Sequence, residues 1–191
     1  MRTGSLTVGA ILVGIVVLAA LVSTVWTPYD PEGVYPELIL LPPGAEHLLG
    51  TDNFGRDVFS SLLRGAQISL LVGVVAVGIA AAIGVPFGII AGMNKRLGQW
   101  MMRGNDISLA FPALLLAIIF GASFGAGTLT AMIALGIGSA PAFALVARSG
   151  TAQVMGRDYI LAARTSGKSG WTIGIRHVLP NISGMLIVQA S

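Results

Sequence analysis

The sequence predicts an all-α, polytopic transmembrane helix bundle, and three observations carry that expectation. Of its 191 residues, 54% are hydrophobic and 10% charged, and the mean hydropathy is +0.85. An ordinary soluble domain carries roughly a quarter charged residues. Apolar runs recur at 6–25, 68–93, 107–124 and 129–147, and a fifth begins at Ile182. Each complete run approaches or exceeds the roughly 20 residues that cross about 30 Å of hydrocarbon. The charges lie between these runs with a strong bias of sign.

The first run follows Arg2 and is about twice as long as most signal-peptide cores, which run to 7–15 residues. It also lacks an A-x-A cleavage site, so it reads as an uncleaved anchor. With the N-terminus in the cytoplasm, nine of the eleven Lys/Arg residues fall inside, and Arg56 and Arg64 alone fall outside. That is the positive-inside pattern of a multi-pass membrane protein. It also explains the pI near 9.8 without nucleic acid as a partner.

Residues 1–66 read as one region, an N-terminal span and an external segment. Pro28, Pro31, Pro36, Pro42 and Pro43 make the first part of that segment extended or irregular. Next, Asp52 or Asn53 is placed to cap a short interfacial helix with Val58, Phe59, Leu62 and Leu63 on its apolar face. Residues 67–191 read as the membrane domain proper. Its first run holds small residues every fourth position, Ala76, Ala80, Gly84, Gly88 and Gly92, which lets a neighbouring helix approach closely in lipid. The last complete run repeats the device with Gly136, Ala140 and Ala144. Packing within one bundle is the simpler use of both, ahead of a subunit interface.

Pro86, Pro112 and Pro141 each fall inside a run, where neighbouring groups satisfy the freed carbonyls. Asp106 is the acid nearest a run, placed by the pattern at the N-terminus of the third helix, where it favours the helix dipole. No titratable group stands at mid-membrane, so a proton-coupled carrier is disfavoured.

Residues 148–180 form a basic loop containing Arg148, Arg157, Arg164, Lys168 and Arg176. It reads as two short helices. The first, over 157–166, includes Ala162 and Ala163 and ends at Gly167, a natural C′ residue. Ser169 caps the second, whose apolar residues Trp171, Ile175, Val178 and Leu179 follow helical spacing, and Pro180 stops it. Such a knob suits a soluble partner; basic residues lying on anionic headgroups is the competing reading. The fifth run, Ile182–Ser191, would cover about 15 Å as a helix, which predicts an incomplete version of a longer multi-span protein.

Chemistry within the chain is disfavoured. There is no cysteine, hence no disulfide or thiolate site. Gly167-Lys168-Ser169 looks like the end of a phosphate-binding loop, but Ala162 stands where that pattern requires glycine. Asn181-Ile182-Ser183 matches the glycosylation sequon at the cytoplasmic edge of a span, where chance explains it. His47 and His177 fall on opposite sides of the membrane and cannot share a metal. No nucleophile–base set assembles, so no catalytic residue, metal site or bound cofactor is expected.

Two stretches carry a resemblance. Leu161-Ala162-Ala163, Gly167 and His177-Val178-Leu179-Pro180 match, in register, the loop motif of permease subunits of ATP-binding-cassette importers: E-A-A, three residues, Gly, nine residues, I-x-L-P. Leu161 replaces the Glu and His177 the Ile. His47-Leu48-Leu49-Gly50-Thr51-Asp52 with Gly55-Arg56-Asp57 resembles the H-x-L-G-T-D-x-x-G-R-D segment of the dipeptide, oligopeptide and nickel branch. Arg103–Pro112 resembles the start of that branch's third span.

The resemblance implies six spans in the whole protein and a loop that works as a coupling helix through Ala162, Ala163, Gly167, Lys168, Ser169, Trp171, Leu179 and Pro180. It implies a second permease, two ATPase subunits that use the ATP, and an extracytoplasmic substrate-binding protein. Peptide import is the first expectation. Nickel or another small solute is the alternative within the family, followed by a truncated remnant. An ATPase-independent channel or carrier is the alternative outside it.

Overall fold

A computed structural model describes residues 2–191, with the backbone alone at residues 2, 3, 5 and 6. The side chain of Arg2, counted above for orientation, therefore lies outside the described residues. The chain is helical and forms two compact units, Met1–Val72 and Gly73–Ser191.

The first unit contains α1 (Arg2–Val25), a single 3-10 turn at Pro36–Leu38, and the opening of α2 (Val58–Met93). The segment before α2 is fastened by polar contacts. Asp57, not Asp52 or Asn53, is the cap: its Oδ2 accepts from Ser60 N at 2.7 Å and from Ser60 Oγ at 2.7 Å. Asp52 is already engaged, its Oδ1 accepting from the backbone N–H of Phe54 (2.8 Å) and of Arg56 (3.0 Å). That side-chain turn ties up Asp52 six residues before the helix begins at Val58. The separate interfacial helix expected here does not exist, because Val58 onward runs without a break into one 36-residue helix.

The second unit contains the rest of α2, then α3 (Lys95–Leu109), α4 (Ala113–Phe124), α5 (Thr128–Met155), α6 (Asp158–Thr165), α7 (Gly170–Ile173), a π-turn (Gly174–Val178) and α8 (Leu179–Ala190). α5 is its hub, packing against α3, α4 and α8. The α2 ladder also rests on α5. A Cβ added at Gly84 would stand 2.7 Å from Phe143 Cβ, one at Gly88 2.7 Å from Ala147 Cβ, and one at Gly92 2.6 Å from Thr151 Cβ. One at Gly136 would lie 3.0 Å from the Ala76 carbonyl, and Ala80 has no exposed surface. Backbones this close are what small residues in lipid permit.

α1, α2 and α5 are each long and apolar enough to cross a membrane, and α3 with α4 would make a fourth crossing. That pair corrects the continuous third span. The helices meet at a 76° bend, with Pro112 as the residue that caps α4 rather than one within a helix. Proline restricts Phe111 before it and offers no N–H, so the helix stops and restarts. Pro86 and Pro141 do lie within helices. α3 itself was hidden because it is amphipathic and not apolar. Asn94 opens it, Oδ1 accepting from Arg96 N and Leu97 N at 3.1 Å. Asp106 consequently lies near the C-terminal end of α3, where the helix dipole disfavours an acid, not at an N-terminus.

Candidate coupling loop

α5 runs on to Met155, so Arg148 belongs to that helix and the loop proper starts at Gly156. Two elements follow, joined by a bend at Gly167. Gly167 has φ +75°, its N–H donates to Arg164 O at 3.0 Å, and Lys168 N donates to Ala163 O at 3.1 Å. This pair of bonds is a Schellman C-cap, which glycine accommodates without strain. Ser169 Oγ then accepts from Thr172 N at 3.3 Å and starts α7. Lys168 Nζ lies 3.3 Å from His177 Nε2, linking the bend to the next turn.

Pro180 does not stop this second helix. Leu179 N donates five residues back to Gly174 O, the signature of a π-turn, and α8 continues with Pro180 in its first turn. The wider turn accommodates a ring that would crowd the Arg176 carbonyl in a regular helix, and a first-turn proline loses no intrahelical bond. Asn181 Nδ2 donates to His177 O at 2.7 Å, satisfying a carbonyl at the irregularity.

The loop has two faces. Ile160, Ala163, Ile173, Val178 and Ile182 are buried with Val154 and Ala147 of α5 and Ala80 and Val85 of α2. Full burial of an isoleucine or valine is worth about 1.5–3 kcal/mol, so the loop is anchored from below. The outer face carries Trp171 (72% exposed), Leu161 (65%), Ile175 and Tyr159, with Arg157, Arg164, Lys168 and Arg176 exposed around them. Of the residues the sequence selected, Ala162, Gly167, Lys168, Ser169, Trp171 and Pro180 are exposed; Ala163 is buried and Leu179 half-buried. Sequence reasoning left out Tyr159 and did not place Leu161 or Ile175 on the outer face. The helical spacing of 157–166 around Ile160 and Ala163 was the available signal.

The other motif is closed on itself. Gly50 (φ +74°) and Gly55 (φ +76°) hold left-handed turns, and a Cβ on Gly55 would meet the backbone of Tyr35. Thr51 Oγ1 donates to Leu38 O and accepts from Leu41 N at 2.8 Å. Arg56 Nε donates to Asp52 Oδ2 at 2.9 Å, with the guanidinium 4.7 Å over the Phe54 ring. Buried His47 pairs with buried Asp57, Nδ1 to Oδ1 at 3.0 Å, and stacks on Tyr29 at 4.6 Å. Burial works against ionisation of Asp57, but the Ser60 N–H, the Ser60 hydroxyl and His47 outweigh it and hold its carboxyl below 3.8. Asp52 is likewise lowered: desolvation is outweighed by the N–H groups of Arg56 and Phe54 and by the Arg56 guanidinium.

The family described as "Binding-protein-dependent transport system inner membrane component" matches residues 84–191. The di/tripeptide transport system permease protein DppC of Pseudomonas aeruginosa (strain UCBPP-PA14) is 38% identical over 190 residues, covering 96% of this chain and 63% of the relative. The glutathione transport system permease protein GsiD of Escherichia coli O6:K15:H31 is 39% identical over 183 residues (94% and 60%). The dipeptide transport system permease protein DppC of Alkalihalophilus pseudofirmus is 37% identical over 185 residues (96% and 61%). The chain spans a little under two thirds of the length of these curated relatives.

Proposed function

We propose that this chain, which belongs to the family of inner membrane components of binding-protein-dependent transport systems, is a permease subunit of a bacterial importer of di- or oligopeptides. The family is one of membrane components that are not themselves catalytic and carry no bound cofactor. In this reading the chain forms the translocation path with a second permease. It is driven by two cytoplasmic ATPase subunits and supplied by an extracytoplasmic binding protein. Peptides are the proposed substrate because relatives across most of this chain carry peptide, dipeptide and glutathione transport in their names. The N-terminus is cytoplasmic, on the charge bias of the segments between spans.

The carrying observation is the two-faced loop. Its inner face is locked to α2 and α5, while Leu161, Trp171 and Ile175 stand outward within a basic rim. A rigid knob with an exposed aromatic anchor is how a partner's push is passed into a bundle without being absorbed by loop motion. ATP binding in the partner would move α6 and α7, and the buried isoleucines would carry that motion to α5 and α8. The test is peptide uptake by the reconstituted importer with Gly167→Arg in this subunit. A side chain at φ +75° opposes the bend, so uptake should fall while ATPase activity continues. Uptake at the wild-type rate would sink the assignment.

A further inference from the structure

A cavity of about 570 Å³ opens between α2, α3, α4 and α5, at the break between α3 and α4. Phe111 stands at that break and lines the cavity with Phe87 of α2 and Met101 of α3. None of its walls is charged, but they include one buried polar side chain, Asn105, 6% exposed. The Asn105 amide nitrogen donates to Pro141 O at 3.1 Å. Its Oδ1 accepts from no group among the described residues. Every fully enclosed side-chain N or O among those residues has a partner, so this oxygen opens onto the cavity that Asn105 lines. Two further acceptors stand with it. Pro141 has no N–H to give the Ile137 carbonyl one turn earlier, and both residues line the cavity. Ser108 gives its proton to Gly104 O at 3.1 Å and keeps its lone pairs. Unpaired acceptors are costly within a membrane span, and this set calls for a hydrogen-bond donor between apolar walls.

We infer that this cavity is a contact site for the transported peptide. Backbone N–H groups of the peptide donate to Asn105 Oδ1 and the Ile137 carbonyl, and its apolar side chains lie on Phe87, Met101 and Phe111. A neutral N–H is the donor that an uncharged cavity accepts at least cost. An acyl chain has no donor, and an isolated cation would enter without a counter-charge. Such a site reads the backbone of a peptide and not its charged side chains. The inference rests on the peptide-importer reading above and adds to it the residues that the substrate touches.

Photolabelling of the complete reconstituted importer during turnover tests it. The probe is a tripeptide whose central side chain carries a diazirine, with mass spectrometry of the labelled positions. In the wild type the label should fall on Phe87, Met101 or Phe111. Asn105→Leu should reduce that label by about fivefold, although it also strips a donor from Pro141 O. Pro141→Ala is therefore the companion variant. It returns an N–H to the Ile137 carbonyl, should not lower the thermal transition, and should reduce the label by about threefold. Wild-type uptake with no label on these walls, or an unchanged label in either variant, overturns this proposal and leaves the importer reading standing. A wild-type importer that takes up no peptide overturns both.

Discussion

The segment around Gly50–Ser60 and the loop from Asp158 to Pro180 are both motifs built on a left-handed glycine turn, yet their side chains face opposite tasks. In the first, Thr51, Asp52, Arg56, Asp57 and His47 spend their polar groups on one another and on nearby backbone. In the second, the polar bonds fix only the bend and the caps, and the large side chains divide between a buried floor and an exposed roof. A motif can persist because it closes a structure or because it presents one. The burial of its side chains, and not the strength of its match, separates the two cases.

Substitutions at two glycines of nearly equal φ sharpen this contrast. Gly55→Ala should be the most damaging change, costing about 3 kcal/mol, because it adds left-handed strain to a collision with the Tyr35 backbone. Thermal unfolding in detergent and protease resistance of residues 30–57 would record it. Asp57→Ala comes next at about 2–3 kcal/mol, since it removes the α2 cap and strands buried His47. The same carboxylate makes the segment acid-sensitive. Its folded-state value lies below 3.8, so its contribution is complete above that pH and is lost as pH falls through the folded value. Tyr29 fluorescence should report opening only below about pH 3.8, and Asp57→Asn should flatten that acid limb.

Gly167→Ala should cost only about 1 kcal/mol, because a Cβ there meets nothing within 4 Å and pays conformational strain alone. A loss as large as that of Gly55→Ala would break the contrast. Trp171→Ala should leave the melting transition within about 0.5 kcal/mol of wild type, as expected for a side chain 72% exposed.

What the sequence made legible followed from rules that act over a few residues. Gly167 as C′, Ser169 as a cap and the two short helices all rest on local backbone bonding. The features that escaped depend on competition or tertiary context. Asp52 and Asp57 are equally good caps by type, and only the turn that binds Phe54 N and Arg56 N to Asp52 decides between them. α3 fell below an apolar-run criterion because its buried face, Gly98, Met102 and Asn105, is narrow and small. Asn105 is held there by donating to Pro141 O at 3.1 Å, a contact 36 residues distant in sequence. The π-turn ahead of Pro180 has no composition of its own, and proline there was as consistent with a helix end as with a first-turn position.

The most direct test of the central claim, that the exposed roof of the loop docks an ATPase, is co-purification in mild detergent with quantification of the ATPase subunit. Leu161→Asp and Trp171→Asp would be compared with wild type at matched thermal stability. Both variants should lose most of the ATPase while retaining the second permease. Undiminished ATPase recovery with both would contradict the account and leave the loop as another self-contained structural motif.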